Sequence, residues 1–246
     1  MAWQIGRESV LFLGGGKAAL LQLAHPLVAQ AIDRHSRTRT DPLGRFRRTF
    51  DGVYRMVFGD LDQAFAAARR VHQIHARVAA NDPDALLWVY ATLVATAIEV
   101  YDLIVAPLSY GERDRYFQES KRFARLFGIP DRLLPRDVGE FFAYYAESLA
   151  SPSITVVPAA REMASFLFTP RHSIEAPALR WMKTMTAALL PERLRAEYGL
   201  GYTRLERHAF AASVFTLRAS YPRLPGTLRY LPAYRAACRR LRPRRA

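Results

Sequence analysis

The sequence predicts an all-α protein, a single-domain bundle of many helices, on three observations. Apolar residues recur at three- and four-residue spacing from end to end, the period of a helix with one buried face. Runs of strict apolar–polar alternation, and the turn dipeptides that would join them into hairpins, do not occur. The punctuation is helical in kind. In Phe127-Gly128-Ile129-Pro130, for example, glycine can take a left-handed cap and proline blocks continuation.

Taken in order, the breaks predict helices over 17–33, 44–57 and 61–79, then over the most apolar stretch, 85–105, which stops before Pro107. The next, 112–127, ends at the Gly128 to Pro130 signal, and 137–150 starts beyond Pro135. Pro158 and Pro170 bracket 159–168; 176–189 lies between Pro170 and Pro191; 192–198 follows Pro191; and 202–221 ends at Pro222. No repeat or long linker divides them, and 246 residues that are 50% apolar suffice for one large core. The expected organisation is one domain over 1–234 and a basic tail over 235–246.

The single cysteine, Cys238, rules out an internal disulfide, and the opening residues MAWQIGRESV lack the basic start and apolar run of a secretory signal. A cytoplasmic setting is therefore expected. Glu99 and Asp102 interrupt 85–105, so its unbroken part falls short of the ~20 residues that cross a bilayer. The expectation is a buried helix and no transmembrane segment.

The net charge of +14 could serve nucleic acid, anionic lipid or an acidic ligand. Arg235, Arg239, Arg240, Arg242, Arg244 and Arg245 crowd the C-terminus, where a frayed, solvated tail is expected. A second run from Arg34 to Arg55 interleaves its arginines with Phe46, Phe50 and Tyr54 and reads as part of the fold. Arginines outnumber lysines 33 to 3, and a coding bias would produce part of that excess without functional meaning. Charge alone assigns no function.

Two motifs are set aside. Gly14-Gly15-Gly16-Lys17 is not a phosphate-binding loop, because such a loop needs glycine where Leu11 stands and a hydroxyl where Ala18 stands. Close backbone packing accounts for it better. No Gly-x-Ser-x-Gly elbow is present, which removes the support for a serine hydrolase.

The informative segment is 61–79. Projected at about 100° per residue, Leu61, Ala64, Ala68, Val71 and Val78 share a face with His75 at its centre. Arg69, Arg70, Gln73 and Arg77 lie opposite, and His72 lies at the edge. Alanines at 64, 67 and 68 leave room for a bulky flat group beside a neutral imidazole, the commonest protein ligand for a transition metal. On the residues alone, an ordinary core histidine bonded to a carbonyl is the stronger reading. Arg45 and Thr49, four apart with Arg48 beside them, could together bind a carboxylate or steady a bound oxygen species as negative charge develops on it. The plainer alternative is a solvated basic helix with Thr49 bonded to its own backbone.

The runs GGGKAALLQLAHPLVAQAIDRHS, DPLGRFRRTF, VFGDLDQAFAAARRVHQIHARV, LLWVYATLV and LLPERLRAEYGL follow one another over about the first 200 residues. In this order they resemble the domain shared by latex-clearing rubber oxygenases and MpaB-type oxygenases. The resemblance implies a helical fold enclosing haem b, with His75 as the proximal iron ligand. It implies that Arg45 and Thr49 line the haem pocket, and that Arg48 stands where the rubber enzymes carry a distal basic residue. His25, in the LAHP segment, matches a recurrent family position and is grouped with the cofactor-binding residues. Three departures limit the transfer. Tyr90 stands where relatives carry histidine, the connection after the HARV segment is short, and no glutamate lies near Ala29 to match the rubber enzymes' distal acid. Polyisoprene cleavage is therefore not carried over.

The leading expectation is a haem b-dependent oxygenase that uses dioxygen on an apolar small molecule, with Arg45, Arg48 and Thr49 as catalytic residues. The alternatives are a haem carrier or sensor without turnover, and a basic helical nucleic-acid-binding protein, for which no helix-turn-helix signal is found. A non-haem metal site built from His72 and His75 with Glu99 or Asp102 is a further one, although paired Glu-x-x-His motifs are missing.

Overall fold

A computed structural model of the chain describes residues 1–35, 42–77, 81–170 and 172–241, without the side chains of 33–35, 42–43, 45–48 and 77. The helices are α1 (Ala2–Gly6), α2 (Gly15–Leu23), α3 (Pro26–His35), α4 (Pro42–Phe58), α5 (Leu61–Arg77), α6 (Pro83–Ile104), α7 (Tyr110–Phe127), α8 (Val138–Ala150), α9 (Pro158–Phe168), α10 (Ala176–Leu189), α11 (Glu192–Glu197), α12 (Arg204–Ser220), α13 (Gly226–Arg229) and α14 (Pro232–Leu241). Short 3-10 turns, the longest at Ser9–Gly14, join some of them. Among the described residues there is no strand, only an isolated bridge between Glu8 and Tyr230. The all-helical expectation holds.

α6 is the axis of the fold. Asp82 caps it by accepting from the Ala85 N–H at 2.8 Å, and Pro83 occupies the first turn, where a missing N–H does no harm. Fourteen of its 22 residues are buried, because α1, α2, α7, α8, α12 and the Ser9–Gly14 turn pack around it. Helical from Pro83, it is long and apolar enough by length and composition to cross a membrane, contrary to the shorter span read from the sequence. In this fold most of its residues are buried as the axis of the bundle.

α2 is bound closely to α6. Trp88 Nε1 donates to the Leu21 carbonyl at 2.8 Å, Gln22 Nε2 to Thr92 Oγ1 at 3.1 Å, and the buried Lys17 pairs with Glu99. A Cβ at Gly14 would collide with Thr96 and one at Gly16 with Thr186, so the glycine run serves close packing, as expected. The single helix expected over 17–33 is two helices, with a bend of 101° across the break. Pro26 is the cause: it has no N–H for the Gln22 carbonyl, and its ring crowds that turn. The Ala24 carbonyl at the break accepts instead from the Thr155 N–H at 2.8 Å.

The two ends of the chain are clasped. The fully buried Glu8 carboxylate is gripped by Arg229 through two bonds of 2.7 and 3.0 Å and accepts from Tyr221 Oη at 3.1 Å. The expected solvated tail is helical through Leu241. Ala237 is fully buried and Arg240 donates to the Phe58 carbonyl at 2.8 Å, because α14 packs across α4.

Candidate functional site

α4 and α5 form a helical hairpin turned at Gly59. Asp60 starts α5, accepting from the Gln63 N–H at 2.9 Å while Gln63 Oε1 accepts from the Asp60 N–H at 3.3 Å. The inward face of α5 is built from small residues, since Ala64, Ala67 and Ala68 are buried and Val71 and His75 are half-buried. Leu61, expected on that face, is 71% exposed, at the turn where α5 begins. Val78 lies outside the described residues.

The two α5 histidines have different fates. His72 is exposed, and its Nε2 lies 3.0 Å from the Leu126 carbonyl. That carbonyl is free because α7 ends in a left-handed Gly128 at φ 98°, with the Gly128 and Ile129 N–H groups bonded to Arg125 and Ala124. A Cβ on Gly128 would stand 2.6 Å from His72 Cε1, so the ring is seated against the cap. His75, one turn on, meets Phe127 edge to face at 5.5 Å. Among the described residues neither of its ring nitrogens has a hydrogen-bond partner. Burial, and secondarily the charge of His72, holds its pKa below the ordinary histidine value. The imidazole is therefore neutral near pH 7.

Behind His75 runs a ladder of rings that sequence reasoning missed. Phe127 stacks on Phe123 at 5.5 Å, and Phe123 on Tyr90 at 6.4 Å. Tyr90, fully buried, is hydrogen-bonded to Ser120 Oγ at 2.6 Å and its pKa is pushed up to about 12 by burial. The four-residue spacing of Phe123 and Phe127 was the available signal, but only the contact among α5, α6 and α7 turns it into a ladder.

Of the other expected site residues, Thr49 lies exposed on α4, four residues from position 45 on the same helix. The side chains of Arg45 and Arg48 lie outside the described residues. His25 lies at the α2–α3 break with a buried Nδ1 that has no partner among the described residues. Burial lowers its pKa, against the opposing pull of Asp82 and Asp84. No hydrogen bond or ring contact joins His25 to His75. Ala29 is fully buried, with no acid at that position. The non-haem alternative fails on partners. Glu99 is paired with Lys17, and Asp102 with Arg113 at 2.7 Å and the Leu108 N–H at 2.7 Å. No group of three His, Cys, Asp or Glu able to hold a metal occurs among the described residues.

The chain is thus an all-helical bundle that presents, from an alanine-lined helix, a half-buried histidine with no hydrogen-bond partner among the described residues. The comparisons with known proteins place it further. The profile described as "ER-bound oxygenase mpaB/B'/Rubber oxygenase, catalytic domain" matches residues 2–219, and the chain belongs to that family. It is 25% identical over 172 residues to the uncharacterized protein Mb2261 of Mycobacterium bovis, covering 69% of this chain and 67% of that one. The same figures hold for the uncharacterized protein Rv2237 of Mycobacterium tuberculosis. No solved structure matches.

Proposed function

We propose that the chain binds haem b through His75 and acts as an oxygenase on an apolar small molecule. The observation that carries this reading is the contrast within α5: His72 is engaged with the Leu126 carbonyl, whereas His75 is half-buried with both ring nitrogens unbonded among the described residues. A neutral imidazole with an available lone pair meets the chemical need of an axial ligand. Alanines 64, 67 and 68 are buried, so a flat group would meet α5 at the half-buried His75 rather than over them.

Haem bound at this point would supply the binding and activation of dioxygen. The chain's own residues would do the rest. His75 would fix the group's position, with Phe127 holding the imidazole plane by its ring contact. His25 would direct its unpartnered Nδ1 to the bound group or to the substrate. Arg45, Arg48 and Thr49 would orient the substrate and offset negative charge as it develops, guanidinium groups being strong partners for such charge.

The test is an absorption spectrum of the purified protein, as isolated and after addition of hemin. A strong band near ~400–420 nm is expected, as for histidine-ligated haem. His75→Ala is expected to lose tightly bound haem, whereas His72→Ala keeps it. Full haem occupancy in His75→Ala would overturn the assignment. Oxygen uptake with a reductant and apolar substrates separates an oxygenase from a carrier, and Arg45→Lys should keep haem while lowering turnover, because lysine lacks the planar fork of donors.

A further inference from the structure

α12 (Arg204–Ser220) is 17 residues long and has no buried residue. One side touches the body of the protein: Phe210, Val214 and Leu217 pack on the cluster around Val10 and Val100, and Ser213 Oγ accepts from Trp181 Nε1 of α10 at 2.9 Å. Projected at about 100° per residue, the opposite side carries Phe215 near its centre, with Arg204 and Leu205 beside it and Arg207 and Arg218 at its border. Leu205 is 78% exposed and Phe215 is 76% exposed. No acidic residue lies on this side. The one acid of α12, Glu206, faces inward and accepts from the Thr203 N–H at 2.6 Å in the capping box. None of the three arginines has an ion-pair partner among the described residues.

Large apolar side chains held in water between unpaired cations are the composition of a helix that lies in a bilayer interface. We propose that α12 docks this protein on an anionic phospholipid surface. Arg204, Arg207 and Arg218 meet the headgroups, and Leu205 and Phe215 enter the first carbons of the acyl chains. The charge selects anionic over neutral lipid, and the central phenylalanine selects a bilayer over a nucleic acid. The proposal is independent of haem binding.

The test uses the whole chain and sedimentation with phosphatidylcholine vesicles, with or without phosphatidylglycerol. Binding is expected only to the anionic vesicles and is expected to fall as salt rises. Phe215→Glu, and separately the double change Arg204→Glu with Arg218→Glu, should each weaken binding about tenfold or more. A control double change of equal charge at the exposed Arg122 and Arg132 should leave it within about twofold. Circular dichroism checks that every variant stays folded. Equal loss in the two double variants, full binding by Phe215→Glu, or loss only on removal of residues 242–246 would each overturn the proposal. Binding to duplex DNA stronger than to the vesicles, and indifferent to Phe215→Glu, would assign the face to nucleic acid instead.

Discussion

α5 and α6 are neighbours in sequence and opposites in construction. α6 buries fourteen of 22 residues, Trp88 and Tyr90 among them, and is fixed by its own volume. The described residues of α5 that are buried are three alanines, so that helix is held by close approach to α4 and by the bond from His72 to the end of α7. A helix that fills its surroundings specifies the fold. One whose buried face is three alanines packs closely on its neighbour and leaves its half-buried histidine with no hydrogen-bond partner among the described residues. Natural sequences depart from self-consistent packing mainly at functional positions, and the proposed role of His75 rests on that contrast.

Truncation is the hardest test of that contrast. Trp88→Ala should cost about 3–5 kcal/mol through lost packing and a cavity, and it also strands the Leu21 carbonyl. Ile74→Ala on the exposed side of α5 should stay within about 0.5 kcal/mol. Urea unfolding of both variants measures the difference, and similar values would mean that α5 is packed as firmly as α6.

A smaller effect sharpens how α5 is held. Gly128→Ala must adopt φ 98° and meets His72 Cε1 at 2.6 Å, so a loss of about 1–2 kcal/mol is expected from backbone strain together with the displaced ring. His72→Ala alone should lose about 1 kcal/mol or less, the net value of one exposed hydrogen bond. Because the ring and the cap touch, the two losses should not add. Additive losses in the double variant would show that His72 does not brace the end of α7.

Much of this was legible in the sequence, and the failures have physical causes. Strong periodicity and Gly/Pro punctuation marked α5 to α12 to within a few residues. Pro26 stood in plain view, but the apolar pattern runs through it and conceals a bend of 101°. The tail was read from charge, which conceals the small face, Ala237 included, that α14 lays on α4. His75 was singled out by its place among alanines. That His72 would be engaged and His75 left unbonded could not be read, because it depends on a carbonyl 54 residues away in sequence. The ring ladder from Phe127 to Tyr90 was hidden for the same reason. Positions 45 and 49 fall on one helix as expected, and their pairing with the site belongs to the proposal.

The smallest expected effect concerns His25, which feels the charges of Asp82 and Asp84 at the start of α6. In the unfolded chain His25 titrates near the ordinary histidine value of about 6.5; in the fold burial lowers its pKa, and Asp82 and Asp84 restore part of the loss. A histidine with a depressed folded pKa binds fewer protons in the native state than in the unfolded state between those two values. Stability must then rise with pH across that window and be lost as pH falls from about 6.5 toward the folded pKa. The slope contributed by one such group cannot exceed one proton per molecule. His25→Leu removes both the titration and the buried Nδ1 that has no partner among the described residues. The variant should therefore equal or exceed the parent in stability at about pH 5.5 and lose part of the parent's pH dependence between there and about pH 7.5. Urea midpoints across that range decide it. An unchanged pH dependence would mean that His25 is solvated in the native state, and that the first turn of α6 is less firmly enclosed than the rest of the helix.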